Sequence, residues 1–234
     1  MTGVGTRNES TRTKWLERTL QEVAAGVRIL DAGAGEGRYR RFCSHLDYVS
    51  QDFAQYNGVG DGRGLQTGSW DQNHLDLVCD ICAIPEPDAS FDAVMCIEVL
   101  EHLPYPVLAI KEFSRLLKPG GRLIVTAPFC SLTHFAPYHY YTGFSRYFYE
   151  KHLVEEGFVI DEITENGNYF EYLAQEIRRV PEVAQRYSNS FPNWWERRAL
   201  GMLLKMLQRF SCADTGSAEL LHFNYLVSAR KRQG

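Results

Sequence analysis

Three alternating glycines follow a short apolar run and an acid near the start of the chain. The run ends at Asp31, and Gly33, Gly35 and Gly37 then read G-x-G-x-G. A dinucleotide-binding turn requires G-x-G-x-x-G, whose third glycine would stand where this chain has Arg38. Glycine reaches positive φ and has no Cβ, so the alternating form lets the backbone pass flat beneath a bulky nucleoside. The spacing therefore favours a site for a nucleoside-containing ligand that is not a dinucleotide.

Three further acids stand where later apolar runs end, at Asp52, Asp80 and Glu98. Parallel strands present their carboxyl ends to a common crevice, so four such acids can converge on one ligand. Asp52 also follows the first glycine by about 20 residues, the separation of a ribose-binding acid. A glycine-rich turn alone is a weak signal, because many α/β domains use one to leave a strand. The four acids together indicate a ligand site.

Two longer motifs accompany these acids. Residues 92–102 read DAVMCIEVLEH, and residues 116–125 read LLKPGGRLIV. With the glycine turn, they make the chain resemble the class I S-adenosylmethionine-dependent methyltransferases, and among them the small-molecule type with an E-V-L-E-H motif. The resemblance covers about 27–163 and implies S-adenosylmethionine as methyl donor and S-adenosylhomocysteine as product.

The resemblance also implies a role for each strand-end residue. Asp31 and the three glycines would cradle the methionine end, while Asp52, followed by Phe53, would take the ribose hydroxyls. Asp80 and Ile81 would hold the adenine, and Ile97 and Glu98 would line the floor near the sulfonium. These assignments are expectations for the structure.

An aromatic segment after the fifth predicted strand, residues 128–144, should receive the acceptor. Tyr138, Tyr140 and Tyr141 are its candidate substrate contacts, and His139 and His134 are candidate general bases. The alternative is that the aromatic side chains pack a lid and the histidines are structural. His102, in the E-V-L-E-H motif, is predicted to brace the following turn, with Glu101 in a supporting position.

Apolar runs alternate with helical patterns, which predicts an α/β fold. We expect a doubly wound, mostly parallel seven-stranded sheet with an antiparallel last strand and an inserted helical pair before it. The predicted strands are 28–32, 48–52, 75–79, 91–97, 122–127, 158–163 and 222–229. The predicted helices are 11–24, one from the glycine turn to about Ser44, 105–117, 146–156, 169–187 and 194–210.

The chain is interpreted as one methyltransferase domain over 1–234, with 1–26 as an N-terminal helix or lid. The helical insertion at 168–215 is predicted to set specificity or oligomerisation. Its second helix carries an apolar stripe over 194–210. Three roles for the stripe stay open: packing on its own domain, forming a dimer, or contacting a membrane surface. Monomer and homodimer both remain open.

Composition narrows the partners. The net charge is −4 and the sequence pI about 6.0, which disfavours nucleic acid as a partner. No apolar signal segment or membrane span is expected, so the protein is predicted to be cytoplasmic. The six cysteines are scattered, and the C-x-x-C at 79–82 has no second pair, so no metal is predicted.

Two hypotheses follow from these features. The first is an enzyme that methylates an oxygen, nitrogen or carbon of a small-molecule acceptor, with sugar-containing and natural-product acceptors included. The second is a catalytically silent module that binds S-adenosylmethionine and engages a partner through the insertion. The intact acids at the four strand ends favour the enzyme.

Overall fold

The computed structural model describes residues 3–233, and within them seven strands form one sheet. In chain order the strands are β1 Arg28–Ala32, β2 Asp47–Asp52, β3 Leu77–Val78, β4 Phe91–Ile97, β5 Leu117–Pro128, β6 Phe158–Asn166 and β7 Asn224–Lys231. Their order across the sheet is β3-β2-β1-β4-β5-β7-β6. Pairing is parallel from β3 through β5, and β7 runs antiparallel to β5. The predicted fold class is confirmed.

Five α-helices lie in the same described range. They are α1 Asn8–Gln21, α2 Pro106–Leu116, α3 Arg146–Glu155, α4 Tyr169–Ser188 and α5 Trp194–Cys212. Local sequence explains where several begin. Pro106 occupies the first turn of α2, where its missing N–H costs nothing. The side chain of Asn168 accepts from the Glu171 N–H at the start of α4, and Asn193 forms a capping box with Glu196 on α5.

The helix predicted from the glycine turn to about Ser44 is wrong. The structure has turns there, followed by a short 3-10 helix at Arg40–Phe42. Gly33, Gly35 and Gly37 all have positive φ, which an α-helix cannot accommodate. The chain must also enter β2 at Asp47, so little length remains for helical turns.

The strands at the middle of the sheet are apolar on both faces. Every residue of β4 is buried except Asp92, and β1 is buried after Arg28. Continuous burial of this kind is typical of parallel strands covered on both sides. The parallel pairing of β1 with β2 and β4 places the carboxyl ends of these strands together, and the predicted site residues lie there.

Two compact units divide the described chain. One consists of residues 3–14 and 165–223, and the other of 15–164 and 224–233. The predicted insertion, 168–215, lies within the first unit, and the predicted 1–26 segment is divided between the two. The single domain, and the lid and specificity roles, stay predictions.

Within the first unit, α4 and α5 pack beside the N-terminal segment. Val4, Ala174 and Leu207 form a buried apolar cluster. The Gly5 N–H donates to the buried Glu171 carboxylate at 2.6 Å, and Arg178 Nε donates to the Val4 carbonyl at 2.7 Å. These bonds fix the N-terminal segment to α4.

Part of the predicted stripe on α5 stays exposed. Leu207 is buried, whereas Trp194, Trp195 and Met202 are exposed. Neither helix of this pair, nor any other helix within residues 3–233, combines the length and apolar character that crossing a bilayer would need. The role of the exposed stripe stays a prediction.

Candidate functional site

The glycine turn is held by bonds to the end of β2. The Gly33 N–H donates to the Gln51 carbonyl at 2.9 Å, and the Gly35 N–H donates to Asp52 Oδ2 at 2.9 Å. A Cβ on Gly33 would lie 2.5 Å from Val99 Cγ2, and one on Gly35 would lie 2.6 Å from Trp70 Cζ2. The first two glycines are therefore needed for space as well as for positive φ.

Gly37 differs from the other two glycines of the turn. Its φ is +68°, but a Cβ there would meet no atom within 4 Å. Conformation alone requires glycine at this position, and the space beside it is open.

Asp52 joins the end of β2 to the glycine turn. Besides the Gly35 N–H, its carboxylate accepts from the Ala54 N–H at 2.9 Å and from Gln72 Nε2 at 3.3 Å. A carboxylate has about four acceptor positions, so Asp52 retains capacity for a further donor such as a ribose hydroxyl. Phe53 follows at the surface, with its ring edge-on to Tyr138 at 5.0 Å between centroids.

Asp31 is buried at the end of β1, and Tyr48 Oη donates to its Oδ2 at 2.6 Å. Burial raises the pKa of Asp31 to about 7; the Tyr48 hydrogen bond opposes this shift, and the charge of Asp52 adds to it. A cationic group bound beside it would favour the ionised form. Asp31 is therefore an acid whose charge depends on what lies next to it.

Glu98 follows β4 with a φ of +57°, an uncommon conformation for a residue other than glycine. Its Oε1 accepts from Thr126 Oγ1 at 2.8 Å and from Asn224 Nδ2 at 2.9 Å. Sequence reasoning missed these two donors. The sequence signal for them was a polar residue within the apolar run of β5, Thr126, and another at the start of β7, Asn224.

The remaining predicted cofactor contacts lie near the ends of β3 and β4. Asp80 is exposed, and its Oδ1 accepts from the Cys82 N–H at 2.8 Å, which closes a turn. Ile81 and Ile97 are both buried. The apolar side chains contribute to the protein core, and only Asp80 presents a free polar edge.

An aromatic layer lies over the glycine turn. Tyr56 stacks on Phe135 at 4.6 Å between ring centroids, and Trp70 lies edge-on to both rings. Backbone bonds between Leu65 and residues 133 and 135 join the loop after β2 to the predicted acceptor segment. Sequence reasoning did not identify Trp70, because a lone tryptophan in a polar loop carries no periodic signal.

Three histidines gather beside this layer. His102 stacks on Phe135 at 5.0 Å between ring centroids, and His134 lies 4.7 Å from His102 and 4.8 Å from His139 by the same measure. Glu101 is fully buried, and its Oε1 lies 3.7 Å from His102 Nε2 and 3.8 Å from His134 Nε2. The predicted candidate bases, His134 and His139, thus share one cluster with the motif residues Glu101 and His102.

Burial and charge act in opposite directions on this cluster. Burial disfavours the Glu101 carboxylate, but His102 and His134 outweigh burial and hold the pKa of Glu101 below its ordinary value. Burial also lowers the pKa of His102 and of His139. The pKa of His134 is raised, because the Glu101 carboxylate and the Leu132 carbonyl outweigh burial.

The three predicted substrate tyrosines follow in the same segment. The Tyr138 carbonyl contacts His102 Nδ1 at 2.5 Å, and the Tyr140 N–H donates to the Glu101 carbonyl at 2.9 Å. The Tyr141 hydroxyl donates to the Pro104 carbonyl at 3.3 Å. Their backbones fix the histidine cluster, while the rings of Tyr140 and Tyr141 are exposed.

Comparison with known proteins matches part of the chain to a family model. Residues 30–125 match the family model described as a methyltransferase domain. A ubiquinone biosynthesis O-methyltransferase of Xanthomonas oryzae is 37% identical over 105 residues, which cover 44% of this chain and 43% of that protein. The chain thus matches less than half the length of this curated relative.

Solved structures agree on the fold. The [4+2]-cyclase SpnF has a TM-score of 0.57 at 20% identity and covers 94% of this chain and 80% of its own. The Haemonchus contortus phosphoethanolamine N-methyltransferase 2, solved in complex with S-adenosyl-L-methionine, has a TM-score of 0.55 at 20% identity and covers 96% of this chain and 53% of its own. These matches show that residues 30–125 match a methyltransferase domain and that the chain shares the fold of these solved structures, as the resemblance to class I S-adenosylmethionine-dependent methyltransferases implies.

Proposed function

We propose that this chain transfers the methyl group of S-adenosylmethionine to an oxygen of a small aromatic acceptor. One observation carries the proposal: a short path of contacts through two aromatic side chains, Trp70 and Phe135, connects the glycine turn to the histidine cluster. Trp70 lies against Gly35 and edge-on to Phe135, and Phe135 stacks on His102. A donor site and a proton-accepting site therefore lie close to each other.

The residues at the strand ends fit the methyl donor. Gly33 and Gly35 form a turn in which added Cβ atoms would clash, and the space beside Gly37 is open. Asp52 keeps acceptor capacity for ribose hydroxyls, and Asp31 is an acid that an ammonium group would ionise. Trp70 Nε1 is a buried donor with no hydrogen-bond partner among the described residues, so it is free to serve a ligand.

When bound, S-adenosylmethionine supplies a methyl group on a sulfonium, which an acceptor displaces in line. The protein's part is to align the two reactants and to exclude water. The aromatic layer formed by Tyr56, Trp70 and Phe135 excludes water above the turn. His139 takes the proton from the acceptor oxygen, since neither of its ring nitrogens is engaged by another described group.

Oxygen is the proposed acceptor atom for two reasons. A curated relative that matches 44% of this chain is a ubiquinone biosynthesis O-methyltransferase. A hydroxyl must also lose a proton on methylation, and a cluster of three histidines offers acceptors for it. The exposed rings of Tyr140 and Tyr141 offer faces for an aromatic acceptor.

The test combines binding and turnover. Calorimetry with S-adenosylmethionine, with NADH as control ligand, measures cofactor binding. Transfer of label from methyl-labelled S-adenosylmethionine is then measured on a panel of phenols and catechols and on a matched panel of amines. We expect micromolar cofactor binding and label on the hydroxyl panel alone.

His139→Ala tests the proposed base. It should leave the affinity for S-adenosylmethionine unchanged and lower turnover by about 100-fold or more. His74→Ala is the matched control, because His74 is exposed and contacts only Asp71 among the described ion pairs. Cofactor binding without transfer to either panel would instead support the catalytically silent module.

A further inference from the structure

Four side chains that could bind a metal ion converge beside the ends of β4 and β5. Glu101 and His102 lie in the 3-10 turn Leu100–His102 after β4, and His134 and His139 lie in the segment after β5. One ring nitrogen of each histidine lies within 4.8 Å of one from each of the others. The residues come from two loops that the parallel sheet brings together, so the cluster depends on the fold.

The atoms that face each other in this cluster lack protein partners. Glu101 is fully buried, and neither of its carboxylate oxygens makes a hydrogen bond to a described residue. The same holds, within residues 3–233, for His102 Nε2 and for both ring nitrogens of His139. Leaving buried polar atoms without partners is costly, and a bound ligand would remove the cost.

Backbone carbonyls orient two of the rings. His102 Nδ1 lies 2.5 Å from the Tyr138 carbonyl, and His134 Nδ1 lies 2.8 Å from the Leu132 carbonyl. A carbonyl only accepts, so each Nδ1 carries the hydrogen and each neutral ring presents an Nε2 lone pair. Metal-binding histidines are typically oriented in this way, with the second ring nitrogen donating to a backbone carbonyl.

We propose that His102, His134 and His139 bind a divalent transition-metal cation of the zinc type. Three imidazoles and an open position form a donor set suited to such an ion. The buried carboxylate of Glu101, 3.7 Å and 3.8 Å from two of the Nε2 atoms, balances the charge. Zinc–nitrogen bonds of about 2.1 Å at tetrahedral angles place two ligand nitrogens about 3.4 Å apart, so nitrogens that now lie within 4.8 Å of one another must close in by up to about 1.4 Å on binding.

The site extends the proposed function, and its chemical role, though not the binding itself, rests on that function. A hydroxyl of the acceptor would occupy the open position. Coordination lowers the pKa of the hydroxyl, so its O–H bond breaks and the proton is released to bulk water as the acceptor binds, before the site excludes water. The oxygen keeps the electron pair that forms the bond to the methyl carbon, and the sulfur keeps the pair of the bond that breaks. His139 acts as the proposed base only in the cation-free protein; with the cation bound, its ring nitrogen is a ligand and the lowered pKa of the acceptor hydroxyl replaces the base.

The test uses tag-free full-length protein stripped of metal by a chelator. Co²⁺ is titrated and followed by its visible absorption, and Zn²⁺ is then added to displace it. We expect one equivalent to bind with a visible spectrum of nitrogen and oxygen ligation, and Zn²⁺ to abolish the spectrum. A thiolate charge-transfer band would place the ion on cysteines, such as Cys79 and Cys82, and would overturn the proposal.

Variants identify the ligands. His134→Ala and His139→Ala should lose the Co²⁺ spectrum, and Glu101→Gln should weaken binding by about 10–100-fold. His74→Ala, outside the cluster, should bind as the wild type does. His139→Ala breaks no described hydrogen bond, so circular dichroism should show it folded.

The outcomes separate this proposal from the proposed function. A folded wild-type protein that shows no Co²⁺ spectrum, or histidine variants that bind as the wild type does, would overturn the cation site. Calorimetry with S-adenosylmethionine is run on the same samples. Cofactor binding with no cation binding would remove the cation site and leave methyl transfer in place.

Discussion

Replacing Asp31 by asparagine changes the electrostatics at the end of β1 with almost no change in shape. Asp31 is 2% exposed, and its Oδ2 accepts from the Tyr48 hydroxyl at 2.6 Å. The asparagine carbonyl can accept the same hydrogen bond. Burial, opposed by that bond, raises the pKa of Asp31 from an ordinary 3.8 to about 7.

The sign of the effect follows from proton linkage. A carboxyl with a raised pKa in the folded chain holds its proton more tightly there than in the unfolded chain. Its contribution to stability is complete below pH 3.8 and is lost as the pH rises through about 7. The whole change from 3.8 to about 7 corresponds to about 4 kcal/mol in the free energy of unfolding.

Asp31→Asn should therefore gain stability over the wild type as the pH rises. Between pH 5 and pH 8 we expect its relative free energy of unfolding to increase by about 3 kcal/mol. The assay is urea unfolding of both proteins at four pH values across this range. A difference between the two proteins that stays constant from pH 5 to pH 8 would refute the reasoning.

Asp92→Asn is a control with the opposite sign. Burial disfavours the Asp92 carboxylate, but Lys118 Nζ, 2.8 Å from both of its oxygens, outweighs this and lowers its pKa. The stability from this group is present above the unfolded-state pKa and is lost as the pH falls through the lower folded-state value. Asp92→Asn should therefore be less stable than the wild type at pH 8, with a deficit that shrinks in acid.

The Asp31→Asn substitution also tests the proposed cofactor site. If the ammonium group of S-adenosylmethionine lies beside Asp31, the carboxylate form binds it better than the neutral acid does. The affinity of the wild type should rise from pH 6 to pH 8, whereas Asp31→Asn should lose this rise. Calorimetry at both pH values measures the two slopes, and equal slopes would separate Asp31 from the methionine end.

The remaining predictions concern the turn, the acid of β2 and the helical pair. Gly35→Val should abolish binding of S-adenosylmethionine, because its Cβ would lie 2.6 Å from Trp70 Cζ2. The added Cβ of Gly37→Ala would contact no atom within 4 Å, so calorimetry should show that this variant binds the cofactor more tightly than Gly35→Val does. Asp52→Ala should weaken that binding by about 1–3 kcal/mol, since ribose hydroxyls would lose their acceptor; unchanged affinity would remove Asp52 from the site. Asn193→Ala removes the cap of α5 and should lower the free energy of unfolding by about 1 kcal/mol, measured by urea unfolding.

Local sequence was sufficient for most of the fold because its signals are short-range. Alternating and continuous apolar runs predicted all seven strands, and β1 and β4 have the predicted bounds. The failure after Gly37 has a local cause: alternating positive φ values continue through Gly37, and only nine residues then remain before β2 begins at Asp47. The glycine spacing indicated a nucleoside site but not how the turn is held.

The chemistry of the acceptor side depends on contacts between distant parts of the chain. The sequence by itself determined the positions of the strands, the acids at the strand ends and the histidines of the acceptor segment. Only the tertiary structure decided that Glu101 is fully buried beside three histidines and that Trp70 lies against Gly35. The physical reason is that a parallel sheet brings the ends of β1, β4 and β5 to one edge, so side chains far apart in sequence share one desolvated site.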